Sequence, residues 1–408
     1  MQWEPLGFNN NPLNTDPIQQ STLELYTGHK EDNAYCINAI SERNVTIIVE
    51  GERGVGTTSF SNYIRFHAQK GKMYFTPREE VRVEAGWTLE MLLAAIIAAI
   101  VREIELFQPE KIIKTKVFQN AKAVSSRIAE VYRSFGIEAL GFGANFSKEA
   151  GVVTQPQVIS TPILSHHLQD LTQLIQSIGY KYGILIQLNN LDVDTIHNEN
   201  ALKALFNALR DYLQTDGLSW VLVGDKGLRR FIAQEVDRLD DIINYEISLS
   251  PISESEYMEL IEKRVSFYRD NEKVKLPIDD QVLIYLYKIT KGRLRYIFGL
   301  LSRLMNTLSI GGLNDRITLD AAKPMLTKLA RERVARNELT PNEEVILSFI
   351  VKKNETTGTD TAKEIFKSKP YVSRIMSGLL KHKLIKVRKH GTTNYYTPVL
   401  DAIIAYGE

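Results

Sequence analysis

The chain has 408 residues, more than one typical domain holds, so two or three are expected. Hydrophobic content of 44%, charged content of 24% and a net charge of +1 describe an ordinary globular protein and exclude a globally basic nucleic-acid binder. One cysteine, Cys36, excludes a disulfide framework and a cysteine-rich metal site, and fits a reducing cytoplasm. Met1-Gln-Trp-Glu-Pro lacks the basic and apolar parts of a leader, and the longest apolar run, Met91 to Val101, is too short to cross a bilayer. No membrane partner is expected.

Residues 1–21, rich in Asn, Pro and Gln, read as an extended arm rather than a packed element. Leu25 to Asp32 leads a helix that ends near Glu42. Then comes Asn44 to Ser59, NVTIIVEGERGVGTTS. Val45, Ile47, Ile48 and Val49 suit a buried parallel strand. Gly51, Glu52, Arg53, Gly54, Val55 and Gly56 form a glycine-rich turn, and Thr57, Thr58 and Ser59 open a helix. This is the phosphate-loop pattern G-x-x-x-x-G-K-[ST] with Thr57 in the lysine's place. Its backbone N–H groups and helix N-terminus suit a phosphate. The expected ligand is ATP or ADP, with Thr58 in register to offer its hydroxyl to Mg²⁺ if the metal is bound. Threonine brings no charge to the β- and γ-phosphates, so hydrolysis should fall by orders of magnitude. A glycine-rich turn with no ligand is the plainer alternative.

Met73 to Thr76 is a short strand, which Glu80 to Glu84 continues. Thr88 caps a helix over Leu89 to Leu106. Residues 108–160 break the alternation of strand and helix and read as an insertion, with a helix over Val117 to Phe135 and a strand or hairpin over Gly141 to Phe146. Ser165 to Ile178 is a helix, and Tyr182 to Leu188 a buried strand ending in Asn189-Asn190-Leu-Asp192. P-loop ATPases place an Asp-Glu pair at this strand end, the Asp for the Mg²⁺ shell and the Glu for the attacking water. The amides of Asn189 and Asn190 do neither, and Asp192 is a candidate displaced acid. After a helix over Asn200 to Leu213, the strand Trp220 to Val223 ends near Asp225, a γ-phosphate sensor candidate or a turn residue. Ile243, Tyr245, Ile247 and Leu249 alternate as an edge strand. Residues 22–250 therefore form an α/β core, a parallel sheet with helices on both faces.

Residues 251–335 are helical: Ser253 to Asp270, Ile278 to Thr290, Leu294 to Ser309 and a connector over Ile317 to Arg336. Residues 336–408 hold three helices, the first capped at Thr340, and a hairpin around His390-Gly391, which together make a winged helix. From Thr361 to Glu408 there are nine Lys or Arg against three acids. Lys369, Tyr371, Ser373 and Arg374 on the third helix, with Arg388, Lys389 and His390 on the wing, suit double-stranded DNA. Protein docking is the other use of such a fold.

The order of P-loop, second motif, sensor strand, helical segment and winged helix resembles the AAA+ ATPases of the origin-recognition and replication-initiator type, and related ATPases of transposition and defence systems. GERGVGTTS, WVLVGDKG and KGRLR carry the resemblance. It implies a helical lid over residues 251–335, an adenine contact near His29, a lid arginine at Arg295 that reaches the phosphates, and homo-oligomers or mixed assemblies. The departures at Thr57, Asn189 and Asn190 fall on the catalytic positions. Together they point to a DNA-binding protein with a degenerate nucleotide site, a scaffold or slow switch. One alternative is an active ATPase with substitute groups: Arg53, Arg295 or a neighbouring subunit's residue. Another is a nucleotide-free adaptor docking through its winged helix.

Overall fold

A computed structural model describes residues 3–107, 110–134, 160–193, 199–311, 316–390 and 392–407. The chain divides into two units, one of Asp16–Ile252 and the other of Met1–Thr15 with Ser253–Glu408.

Among the described residues the first unit is built on five strands: β1 (Thr46–Gly51), β2 (Val81–Arg82), β3 (Ile184–Asn189), β4 (Leu218–Asp225) and β5 (Tyr245–Leu249). They run in the order β2-β3-β4-β1-β5, all parallel. β1 lies inside the sheet, and its β-branched residues are buried on both sides, as the apolar run predicts. β5 is an edge, and its alternation buries Ile247 and Leu249 only. The expected strand at Met73 to Thr76 is a single bridge from Phe75 to Ile184.

Among the described residues nine α-helices surround this sheet: α1 (Lys30–Ala39), α2 (Thr57–Lys70), α3 (Leu89–Phe107), α4 (Glu110–Ile113), α5 (Lys116–Ser134), α6 (Thr161–Ser177), α7 (Glu199–Leu213), α8 (Leu228–Glu235) and α9 (Asp237–Asp240). One face of the sheet, with Ile47, Val49, Leu185, Val221 and Val223, packs on Cys36 of α1 and on Phe60 and Ile64 of α2. The other, with Ile48, Ile186, Leu188 and Leu222, packs on α3, α6 and α7. Residues 108–160 do not all stand apart from the core: Phe118 and Ala121 of α5 are buried in it. The strand or hairpin expected over Gly141 to Phe146 lies outside the described residues.

A buried arginine fixes α2. Arg65 has no exposed surface; its Nη2 donates to Asn62 Oδ1 and to the Arg78 carbonyl, both at 3.0 Å, and its Nη1 donates to the Pro77 carbonyl. Burial pulls its pKa down to about 10, opposed by Glu80 and Glu103, so it stays cationic at neutral pH. Asn62 in turn donates to the Ile18 carbonyl at 2.8 Å. The network joins the P-loop helix to the chain on either side of it.

The second unit continues with α10 (Glu254–Tyr268), α11 (Asp280–Thr290), α12 (Leu294–Gly311) and α13 (Leu319–Ala335), then α14 (Pro341–Lys353), β6 (Thr356–Thr357), α15 (Gly358–Glu364), α16 (Lys369–Lys381), β7 (Ile385–His390), β8 (Thr393–Pro398) and α17 (Leu400–Tyr406). Ser253 and Thr340 open α10 and α14 with capping boxes to Glu256 and Glu343. α14, α15 and α16 with the antiparallel sheet β6-β8-β7 form the winged helix. α17 was not foreseen. It packs on α13 and α14, and Asp401 pairs with Arg303 at 3.4 Å and Arg333 at 3.1 Å.

The reading of residues 1–21 as an unpacked arm is corrected. Phe8 and Leu13 are 0% and 1% exposed. Asn9 N–H donates to the Tyr268 carbonyl and Asp270 N–H to the Gly7 carbonyl. Arg264 Nε donates to the Pro12 carbonyl at 2.7 Å and Nη2 to the Asn14 carbonyl at 2.8 Å. Polar composition misleads here because two apolar anchors and backbone groups do the docking.

Two stability measurements check these assignments. Arg65→Ala strands buried acceptors and should destabilise the protein by about 3–5 kcal/mol in urea unfolding; a loss below about 1 kcal/mol would show the network to be dispensable. Phe8→Ala should cost about 3–5 kcal/mol by the same measurement if the first segment belongs to the core, and nothing if it is a free arm.

Candidate functional site

The site lies where β1 runs into α2. Gly51 ends β1 with no room for a side chain: a Cβ there would lie 2.9 Å from Thr57 Cγ2 and Val55 Cγ2 and 3.1 Å from the Leu249 carbonyl oxygen. Gly54 and Gly56 have φ of 95° and 110°, in the region that favours glycine. A Cβ on Gly56 would meet nothing within 4 Å, so the mouth of the turn is open. Glu52 and Arg53 are exposed, Val55 is buried, and Thr57, Thr58 and Ser59 are half-buried. Gly56 is the N-cap of α2 and makes no side-chain cap bond. The turn thus presents a helix N-terminus and three hydroxyl side chains, one of which, Thr57, stands neutral in the lysine's place.

The second motif comes to this point from β3. Asn189 Nδ2 donates to Thr58 Oγ1 at 3.5 Å, a long contact, and Gln187 Nε2 donates to Asn189 Oδ1 at 2.9 Å. With the two amides assigned in this way, the Asn189 N–H₂ faces Thr58 and the buried Gln187 Oε1 has no hydrogen-bond partner among the described residues. Asn190 follows with φ 64°, a left-handed conformation that Asn tolerates. Asp192 is half-buried in the loop beyond. Asp225 ends β4 opposite Gly51, and its Oδ1 accepts from Val193 N–H at 3.2 Å. The structure therefore brings Thr58, Asn189 and Asp225 to neighbouring strand and helix ends. Arg295 belongs to the other unit, exposed in the first turn of α12.

P-loop ATPases take Mg²⁺ with the nucleotide; here Thr58 offers a hydroxyl and Asp225 a carboxylate at neighbouring element ends, while Asn189 offers an amide. The position where the pattern expects a carboxylate is held by the Asn189 amide. Magnesium prefers one or two carboxylates with phosphate oxygens and water.

Three features escaped the sequence reading. Ile18 N–H donates to Ser59 Oγ at 3.2 Å, so the segment before α1 touches the first turn of α2. His29, at the residue expected near adenine, packs its ring edge-on to Phe60 of α2 at 6.1 Å, and Tyr26 stacks on Tyr63 at 4.4 Å. Burial pushes the Tyr26 phenol up. Glu50, just before the turn, accepts from Gly227 N–H at 3.0 Å and Arg229 N–H at 3.1 Å and so caps α8. No motif marks such contacts, since each needs a partner far along the chain.

The second candidate surface is the winged helix. Lys369, Ser373 and Arg374 are exposed on α16, and Tyr371 is half-buried with Arg374 5.7 Å and Lys367 6.0 Å from its ring centre. On β7, Arg388 and Lys389 are exposed; Arg388 lies over Tyr395 at 5.5 Å and pairs with Glu355 at 3.3 Å. His390 ends β7 opposite Thr393, with only its backbone placed.

Compared with solved structures, the chain is 14% identical to a Walker-type ATPase of Pyrococcus abyssi, covering 97% of this chain and 99% of that one, with a TM-score of 0.50. It is 12% identical to the ORC2 protein of Aeropyrum pernix in ADPNP and ADP complexes, over 98% and 97% of the chains with a TM-score of 0.48. Identity to the ORC1 protein of Aeropyrum pernix in complex with DNA is also 12%, over 94% of each chain with a TM-score of 0.48. No family model and no curated protein matches the sequence. The fold is similar to that of the Walker-type ATPase, with a parallel α/β core, a helical segment and a winged helix. At these identities the likeness extends to the fold alone.

The amide at 189 has a direct consequence. Asn189→Asp should create a magnesium requirement for nucleotide binding, read as a ten-fold or larger difference in calorimetric Kd between Mg²⁺ and chelator, while the natural chain shows little. Equal metal dependence in both would remove Asn189 from the site.

Proposed function

We propose that this protein is a DNA-binding AAA+-like scaffold or slow switch that holds ATP or ADP without rapid turnover. The Gln187–Asn189–Thr58 chain of neutral groups carries the reading, since it occupies the place where a working motor holds its metal. Gly51, Glu52, Arg53, Gly54, Val55, Gly56, Thr57, Thr58 and Ser59 form the proposed nucleotide cradle. Its grip comes from backbone N–H groups and the α2 N-terminus, which outlast the loss of the lysine. Catalysis does not, because Thr57, Asn189 and Asn190 supply neither charge nor base. The proposed setting is a DNA transaction in the cytoplasm, as a homo-oligomer or beside another protein.

Titration with ATP and ADP should give heat and a thermal shift, and steady-state phosphate release with Mg²⁺ and duplex DNA should be barely above background. Release at ordinary ATPase rates that collapses in Thr58→Ala would overturn the slow-switch reading. No heat and no shift would leave a nucleotide-free adaptor.

Lys369, Tyr371, Ser373 and Arg374, with Arg388, Lys389 and His390, are the proposed DNA face. Binding to a duplex should weaken steeply with salt. Arg374→Ala and Lys389→Ala should each reduce the salt slope by about 1. Affinity and slope unchanged in both variants would make the winged helix a protein-docking module.

A further inference from the structure

Phe366 sits in the loop between α15 and α16 with 93% of its surface exposed, whereas the next most exposed large apolar residue among the described ones, Val345, reaches 59%. Its backbone is left-handed, with φ 52°. The cause is the end of α15. Phe366 N–H donates to the Lys363 carbonyl at 3.3 Å and Lys367 N–H to the Ala362 carbonyl at 3.1 Å, which is a Schellman closure with Phe366 at the position glycine usually takes. A bulky residue rarely adopts this conformation. The backbone here favours glycine, and the ring lies almost wholly in solvent. Neither local conformation nor burial accounts for phenylalanine, so its use lies outside the isolated chain.

The surroundings name the partner's chemistry. Lys363, Lys367 and Lys369 are exposed within three residues of Phe366 on either side, and Arg374 follows one turn into α16. The neighbouring acid, Glu364, is paired with Lys353 at 3.4 Å. An exposed ring framed by unopposed cations suits a ligand that is anionic along its rim and presents flat apolar faces within. Nucleic acid has both features.

We propose that Phe366 is a wedge whose ring enters the DNA base stack beside α16 while Lys363, Lys367 and Lys369 lie on the flanking phosphates. Partial unstacking by an inserted apolar side chain is an established way for a protein to hold a duplex. The wedge rests on the DNA-binding reading of the winged helix and adds to it a contact that does not depend on charge.

The test uses the full chain and a labelled duplex carrying 2-aminopurine, titrated by anisotropy at several salt concentrations. Phe366→Gly relieves the left-handed strain, so it should unfold at the same or a higher temperature and yet bind roughly ten-fold or more weakly. Its salt slope should equal that of the natural chain, whereas Lys367→Ala should lower the slope. The natural chain should raise 2-aminopurine fluorescence and Phe366→Gly should not. Phe366→Ser serves as the second variant, with the same expected loss. Affinity equal to the natural chain in both Phe366 variants overturns the wedge and leaves the DNA face standing. Absence of duplex binding by the natural chain overturns both.

Discussion

The turn from β1 into α2 governs the first unit, and its shape is set by packing as much as by any ligand. Gly51 has the Thr57 and Val55 methyls and the Leu249 carbonyl where a side chain would be. Gly54 and Gly56 hold backbone angles that glycine alone adopts freely. β1 is hydrogen-bonded to both β4 and β5, and α2 is pinned by Arg65 and Asn62. Such a loop keeps its form when its lysine is lost. The cradle's geometry and its charge are therefore separable properties, and this chain keeps the first without the second.

Neutral substitution is consistent across the site. On the proposed reading, Thr57 stands at the place of one cation and Asn189 and Asn190 at the places of two anions, so the site carries one positive and two negative charges fewer than the full pattern. Asn189 is 4% exposed and Gln187 1%, so the pair is held in the protein interior rather than left to water.

Much of this was legible from local pattern. β1, β3 and β4 announced themselves as runs of Val, Ile and Leu, and β5 by its alternation. Helix α14 was marked by Thr340 with an acid three residues on. The winged helix followed from its helices and hairpin. What was hidden depends on distant partners. Phe8 and Leu13 look incidental in an Asn- and Pro-rich segment until their neighbours Asn9 and Pro12 are seen bonded to the Tyr268 carbonyl and to Arg264. Asp401 gives no sign in sequence that Arg303 and Arg333 meet it. Glu50 reads as a polar end to a strand, and only the fold shows the helix it caps.

The most direct measurement restores the charges. Thr57→Lys, Asn189→Asp and Asn190→Glu, combined in one chain, should give Mg²⁺-dependent ATP hydrolysis well above that of the natural protein, whose release stays near background. A natural chain that already hydrolyses ATP as fast as the restored one would contradict the account.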